Sequence, residues 1–366
     1  MRHKLLVILG FIVVLTTLIA MTGAPVAATQ TDDLLEGYAQ LDNAQIYFSE
    51  DNGEASRFDR SARGLSRLGG LLQQLGADLY TLEWRRPIPA DADLVVIAGP
   101  FDDLTSSQIV RLWMYLREGG RLLLLVDPPI ARVRPLPAAR GLFELTWNDL
   151  GIRGLDNMVA TEGPLHTVTP PQEEPDEDAE GPTPTPPAEI ETPTLLIDFT
   201  TTSLNASHPI TADLQGEIGF FGARSLEVDS SISLSSSEAQ ALAFSPADYY
   251  GETRYDDYRN TGIAEYDETV DAVRGPQPLI AAAGEPASGM RVVLIGDRDF
   301  ATNGGGLQTS PANSPSFLYP TNADLLLNSI TWLLEADAVE LSFPTPGPTS
   351  TPTVTPTAAP EEEEAD

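Results

Sequence analysis

Three carboxylates are placed to meet. Asp127 follows the apolar run Arg121-Leu-Leu-Leu-Leu-Val126, and Asp297 and Asp299 follow Arg291-Val-Val-Leu-Ile-Gly296. Both runs are short and continuously apolar, the pattern of strands covered on both faces. Ligands of open α/β sheets bind beyond the carboxyl ends of such strands, where these side chains emerge. Asn303, Asn322 and Asp324 follow in the next loop and helix start. Oxygen donors of this kind can hold a hard cation or a polar ligand. The competing reading is structural, because Asp after a strand commonly caps a turn or a helix start.

Other chemistry is sparse. There is no Cys, which removes disulfides, thiolate metal sites and Cys nucleophiles together. Three His, at 3, 166 and 208, are few for a catalytic zinc site. His208 sits in Asn205-Ala-Ser-His-Pro-Ile210 with no G-x-S-x-G elbow in the chain, and reads as a loop histidine making a backbone hydrogen bond. Gly304-Gly-Gly306 lacks the Lys and Ser/Thr of a phosphate-binding loop, and no G-x-G-x-x-G follows a strand. The expectation is a non-enzyme with no catalytic, cofactor or metal residue. Its ligand or partner candidates are Asp127, Asp297, Asp299, Asn303 and Asn322. Arg60, Arg63 and Arg67 form a stripe that either contacts a partner or is simply solvated. Tyr249, Tyr250, Tyr255, Tyr258 and Tyr266 form either a binding loop or a packed lid.

Charge narrows the partners. The chain has 366 residues, with 54 acidic against 21 basic, a formal charge of −33. Nucleic-acid binding needs a basic footprint and is excluded on that balance. Attraction to anionic lipid surfaces is disfavoured for the same reason.

The elements that would position these residues alternate along the chain. Residues 1–29 read as a membrane signal: Arg2, His3 and Lys4, then the apolar run Leu5 to Met21, then small residues up to Ala28. Its length favours an uncleaved anchor over a signal peptide cleaved after Ala28. In both cases the bulk of the chain lies outside the cytoplasm. Strands are expected at Ala44–Phe48, Asp78–Trp84, Asp93–Gly99 and Arg121–Asp127. A helix is expected over Ser61–Leu75. Another begins at the capping box Thr105-Ser-Ser-Gln108 and buries Ile109, Leu112, Trp113 and Leu116. Gly141–Gly151 adds a helix, and Thr194–Thr201, Gly219–Val228, Ile232–Leu234 and Pro278–Ala283 add β segments. Ala247–Thr269 is expected as a surface excursion. Strand–helix–strand order at this spacing implies parallel pairing. The fold class is therefore α/β: a mostly parallel open sheet with helices on both faces, plus β additions. It forms one domain from 44–160 and 194–335. Residues 161–193 form an acidic, Pro-rich insert and 342–366 a Thr/Pro-rich acidic tail, both expected to be disordered.

Several stretches, in order, resemble the auxiliary domain of ABC-type uncharacterised transport systems, found in gliding-motility-associated transporters. They are Asp93-Leu-Val-Val-Ile-Ala-Gly-Pro100, Leu104-Thr-Ser-Ser-Gln108 and the run from Leu116 to Pro128. Leu150-Gly-Ile152, His208-Pro-Ile-Thr211, Gly275-Pro-Gln-Pro-Leu279, Val292 to Asn303 and Asn322 to Leu333 follow. The resemblance covers roughly 44–335. It implies a flavodoxin-like or class I glutamine-amidotransferase-like sheet without enzymatic activity, held outside the cytoplasm beside an ABC-type permease and ATPase. Amidotransferases depend on a Cys nucleophile, which this chain lacks. The resemblance brings no cofactor and no catalytic residue. Instead of the second span of longer members, this sequence carries the acidic insert. The alternatives are a solute-, glycan- or metal-binding module and, least favoured, a carboxylate-based hydrolase.

Overall fold

The computed structural model describes residues 35, 38–129, 140–171, 187–232, 237–311, 314 and 316–334. The N-terminal signal, the tail and residues 172–186 of the insert lie outside the described residues. The chain divides into two compact units, 1–38 and 39–366, and the described strands and helices all belong to the second.

The first half builds β1 (Gln45–Ser49), α1 (Ser66–Gln74), β2 (Asp78–Leu82), β3 (Leu94–Ala98), α2 (Ser106–Arg117), β4 (Arg121–Leu125) and α3 (Arg140–Leu150). Short strands then follow: β5 (Ile152–Gly154), β6 (Met158–Val168), β7 (Ile190–Leu196), β8 (Asp198–Thr201), β9 (Ile218–Phe221) and β10 (Leu226–Val228). The last part adds β11 (Glu238–Phe244), β12 (Tyr250–Glu252), α4 (Tyr255–Thr261), β13 (Pro278–Glu285), β14 (Met290–Ile295) and α5 (Pro320–Leu334).

Among the described residues the largest sheet has seven strands in the order β11-β13-β14-β4-β3-β1-β2. The five from β2 to β14 are mutually parallel. β13 and β11 extend them antiparallel. Antiparallel pairs, β5–β10, β8–β9 and β7–β6–β12, make up the additions. The continuous apolar runs end up where they must. Every residue of β3 is buried, as are Leu122 to Leu125 of β4 and Val292 to Ile295 of β14. One face carries Val95, Ile97, Leu122, Leu124, Val292 and Leu294, packed with Leu112 and Leu116 of α2 and Leu142, Phe143 and Leu145 of α3. Alternation sends Val96, Leu123 and Val293 to the opposite face, where α5 touches β4 and β14. Helices therefore cover both faces.

The Thr105–Gln108 capping box forms in full, with the Thr105 hydroxyl accepting from the Gln108 amide and Gln108 Oε1 accepting from the Thr105 N–H. Several expectations are corrected. Trp113 is 43% exposed, because α2 turns only its Leu112–Leu116 edge to the sheet. Helix α1 starts at Ser66, since 61–65 form a turn ending with the Leu65 N–H on Ser56 O. Thr194–Thr201 is two strands, β7 and β8, with different partners. β6 runs to Val168 and β7 begins at Ile190, so both ends of the stretch expected to be disordered, 161–193, are paired strand. The Ala247–Thr269 segment is not a bare excursion: Tyr250 is buried and packs with Ala160, Leu195, Tyr255, Tyr258 and Tyr266, the lid alternative.

This packing makes a contrast measurable. Leu112→Ala empties a fully buried site and should cost about 2–5 kcal/mol. Trp113→Ala, one position on, should cost well under half of that despite removing a larger side chain. Urea denaturation of the two variants checks it.

Candidate functional site

A cleft of ≈ 760 Å³ opens at the carboxyl ends of the parallel strands. The loop after β1 supplies Glu54 and Arg63, that after β3 Gly99 and Phe101, that after β4 Asp127, and that after β14 Arg298 and Asp299. Its position is physically meaningful. From β1 the chain lays β2 on one side and β3, β4 and β14 on the other, so the strand order reverses between β1 and β3, the place where open sheets leave a crevice.

The three carboxylates do come together, but Arg298 stands among them. Its backbone N–H donates to Asp127 Oδ1 at 2.8 Å, and its Nη1 lies 3.5 Å from Asp127 Oδ2. Nε and Nη2 donate to Asp299 Oδ1 at 3.1 and 2.9 Å. Burial alone would lower the Arg298 pKa, yet Asp127 and Asp299 outweigh it and leave a net rise. Gly99 makes room for this side chain: its φ is +66°, and a Cβ there would come within 2.2 Å of Arg298 Cδ.

Asp297 is fully buried and faces away from solvent. Oδ2 accepts the Phe221 N–H at 2.7 Å and Oδ1 accepts the Asp299 N–H at 2.8 Å. Burial first, and the nearby Asp127 charge second, push its pKa well above the usual carboxylate range, although both backbone donors pull the other way. Burial and the charge of Asp299 likewise raise Asp198.

The two amides serve elsewhere. Asn303 Oδ1 accepts the Arg67 N–H at 3.0 Å, and its Nδ2 donates to Asp59 O and Ser61 O, bolting the β1–α1 loop to the end of β14. Asn322 pairs both ways with the Gly219 backbone at 2.8 and 2.9 Å, fastening α5 to β9. His208 Nδ1 accepts the Ile210 N–H at 3.2 Å, in keeping with the loop reading. Among the described residues no group of three or more His, Cys, Asp or Glu is arranged to hold a metal ion.

Two participants carried no sequence signal. Glu54 accepts from Ser49 Oγ at 2.5 Å and from the Asn52 backbone at 2.6 Å, while Trp84 Nε1 donates to Ser49 at 2.7 Å, a buried polar network under the cleft. Arg224 is wholly buried. Its guanidinium donates to Leu155 O, Asp127 O and Asp156 Oδ1 at 2.8, 3.1 and 2.7 Å. Burial lowers its pKa to about 10 against the pull of Asp156 and Asp127.

Asp297→Asn should destabilise by about 1–3 kcal/mol, because both carboxyl oxygens, protonated or not, keep a lone pair for their backbone donor, whereas an amide nitrogen has none and would face an N–H. The pH dependence has a definite sign. A carboxyl whose folded pKa is raised holds a proton that the unfolded chain releases near 3.8. Its contribution to stability therefore declines as pH rises through the gap, and the wild-type advantage over Asp297→Asn should be larger near about pH 4.5 than near about pH 7.5. Denaturant titrations at both conditions measure it. Arg224→Ala should cost about 2–4 kcal/mol through two orphaned carbonyls and a void, read the same way.

The family described as ABC-type uncharacterized transport system matches residues 43–329. No curated protein matches. Solved structures with similar backbones include the mmIFT52 N-terminal domain, 12% identical, covering 79% of this chain and 97% of its own, with a TM-score of 0.48. A ThuA-like protein from Bacteroides uniformis is 11% identical over 81% and 92%, with a TM-score of 0.36. A cytoplasmic protein from Salmonella typhimurium is 13% identical over 79% and 98%, with a TM-score of 0.39. At these scores they bear on neither fold nor function. The family match runs from before β1 into α5 and takes in every strand of the seven-stranded sheet, so the chain belongs to the ABC-type uncharacterized transport system family.

Proposed function

We propose that the chain is a non-enzymatic accessory domain, anchored in the membrane and held outside the cytoplasm, that binds a protein partner in an ABC-type transport or motility system. Family membership over 43–329 carries this reading. The apolar run Leu5 to Met21 behind Arg2, His3 and Lys4 supports an anchor of this orientation. The parallel strands, in the order 2-1-3-4-5 when counted along the chain, support a flavodoxin-like sheet. The state of the strand-end carboxylates supports a binding rather than a bond-breaking role. Arg298 is shared between Asp127 and Asp299, and Asp297 is spent on backbone amides. The partner implied by the family is the permease and ATPase of the same system.

The cleft favours a second reading, a solute- or glycan-binding module. Exposed Phe101 beside Arg63 and several carboxylates offers an apolar face with polar hydrogen-bonding groups around it. The Tyr-rich segment does not add to that site, since it packs on β6 and β7.

Affinity purification of the full-length chain from native membranes should recover an ABC-type permease and ATPase; recovery of neither overturns the first reading. For the second, a sugar that binds at about 100 times its Kd should add about 2.7 kcal/mol of stability. A melting-temperature screen across a sugar panel detects it, and a flat response removes that reading.

A further inference from the structure

A second cavity, of ≈ 400 Å³, lies along α1 and the β1–α1 loop. Its lining includes Arg57, Arg60 and Arg67 and no Asp or Glu. In a chain where acids outnumber bases 54 to 21, this is a concentration of the rarer charge. The other cavities described here and at α2–α3 all have carboxylates in their walls.

The arginines differ in how far they are already engaged. Arg67 is held by Asn303 O, Leu307 O and Thr309 Oγ1, so it contributes charge at a fixed place. Arg57 lies over the Phe58 ring at 3.9 Å, its Nη2 donates to Thr81 Oγ1 at 3.4 Å and its Nε is buried without a hydrogen-bond partner, which leaves Nη1 for a ligand. Arg60 makes no hydrogen bond or ion pair among the described residues. Ser66 Oγ accepts from Asn303 Nδ2 at 3.2 Å, which leaves its own hydrogen to donate.

The floor is unusual too. Gly69 and Gly70 sit inside a nine-residue helix, where each disfavours the helix relative to Ala. Packing does not demand them: a Cβ at Gly69 would make ordinary contacts at 3.6 Å, and one at Gly70 would meet nothing within 4 Å. What they do is keep the cavity deep.

We infer that this cavity is an anion site for a phosphate group, bound by Arg57 and Arg60 with the Ser66 hydroxyl. A planar carboxylate is satisfied by one guanidinium fork. Two forks and a hydroxyl arriving from a loop and a helix match the divergent oxygens of a tetrahedral phosphate. The phosphate can belong to a soluble ester or to a lipid headgroup. Both sources present the same tetrahedral oxygens to the site.

Calorimetric titration of the purified full-length chain with inorganic phosphate and with glycerol 3-phosphate tests the site. Saturable binding is expected, weakened about tenfold or more in Arg60→Ala, which removes a charge-assisted contact. Gly70→Ala should weaken binding as well while raising the melting temperature, since Ala improves the helix. A purely structural Gly70 would move the melting temperature alone. Flotation with phosphatidylglycerol vesicles that is lost in Arg60→Ala, without binding of either soluble probe, keeps the site and assigns its phosphate to a lipid. No saturable binding in any arm, or equal affinities in wild type, Arg60→Ala and Gly70→Ala, overturns the inference.

Discussion

Five in-register pairs, from Arg121↔Arg291 to Leu125↔Ile295, join β4 to β14. Each strand is apolar on both faces and can be buried only between two others under two helical layers. That constraint draws remote parts of the chain together. It brings Asp127 within hydrogen-bonding distance of Arg298, 171 positions away, and it fixes the edge along which the cleft opens. The antiparallel β13 and β11 then close the sheet on the far side of β14, where no parallel strand follows. Arg224 locks the same region from beneath, with its backbone N–H on Gly296 O and its side chain on Asp127 O.

Strands with unbroken apolar runs were legible because burial on both faces leaves no other composition. The capping box was legible because it is a local exchange of two hydrogen bonds. Trp113 departs from its expected burial because periodicity identifies a stripe but not its width, and α2 needs only a narrow edge. The parts of β6 and β7 at 161–168 and 190–193 are hidden in the sequence because they are half exposed and rich in Thr, Pro and Glu, so their pairing is settled by each other rather than by hydrophobicity.

The candidate site was half legible. Carboxylates after parallel strands did converge, which follows from topology alone. Their occupation by Arg298 was not readable, since a neighbour in sequence can point anywhere until the backbone is known. Asn303 and Asn322 look like ligands in a sequence and act as fasteners in the fold. Only long-range partners, the β1–α1 loop and β9, distinguish the two roles. Gly99 reads in the sequence as a strand end, but its reason for being Gly lies in the stem of Arg298.

The register of β6 with β7 reaches from Thr161↔Leu196 out to Val168↔Ile190, so the chain leaves this ribbon and re-enters it at adjacent points. Those two exits are clamped whatever joins them. Lengthening the connection twofold would add only about 0.6 kcal/mol of closure entropy. The ribbon thus insulates the sheet from its own longest acidic stretch. Evolutionary drift in length, or an engineered epitope or fluorophore placed between the exits, would tug first on the outer end of the ribbon at Val168 and Ile190, a full strand length from Met158, where β6 meets the cleft.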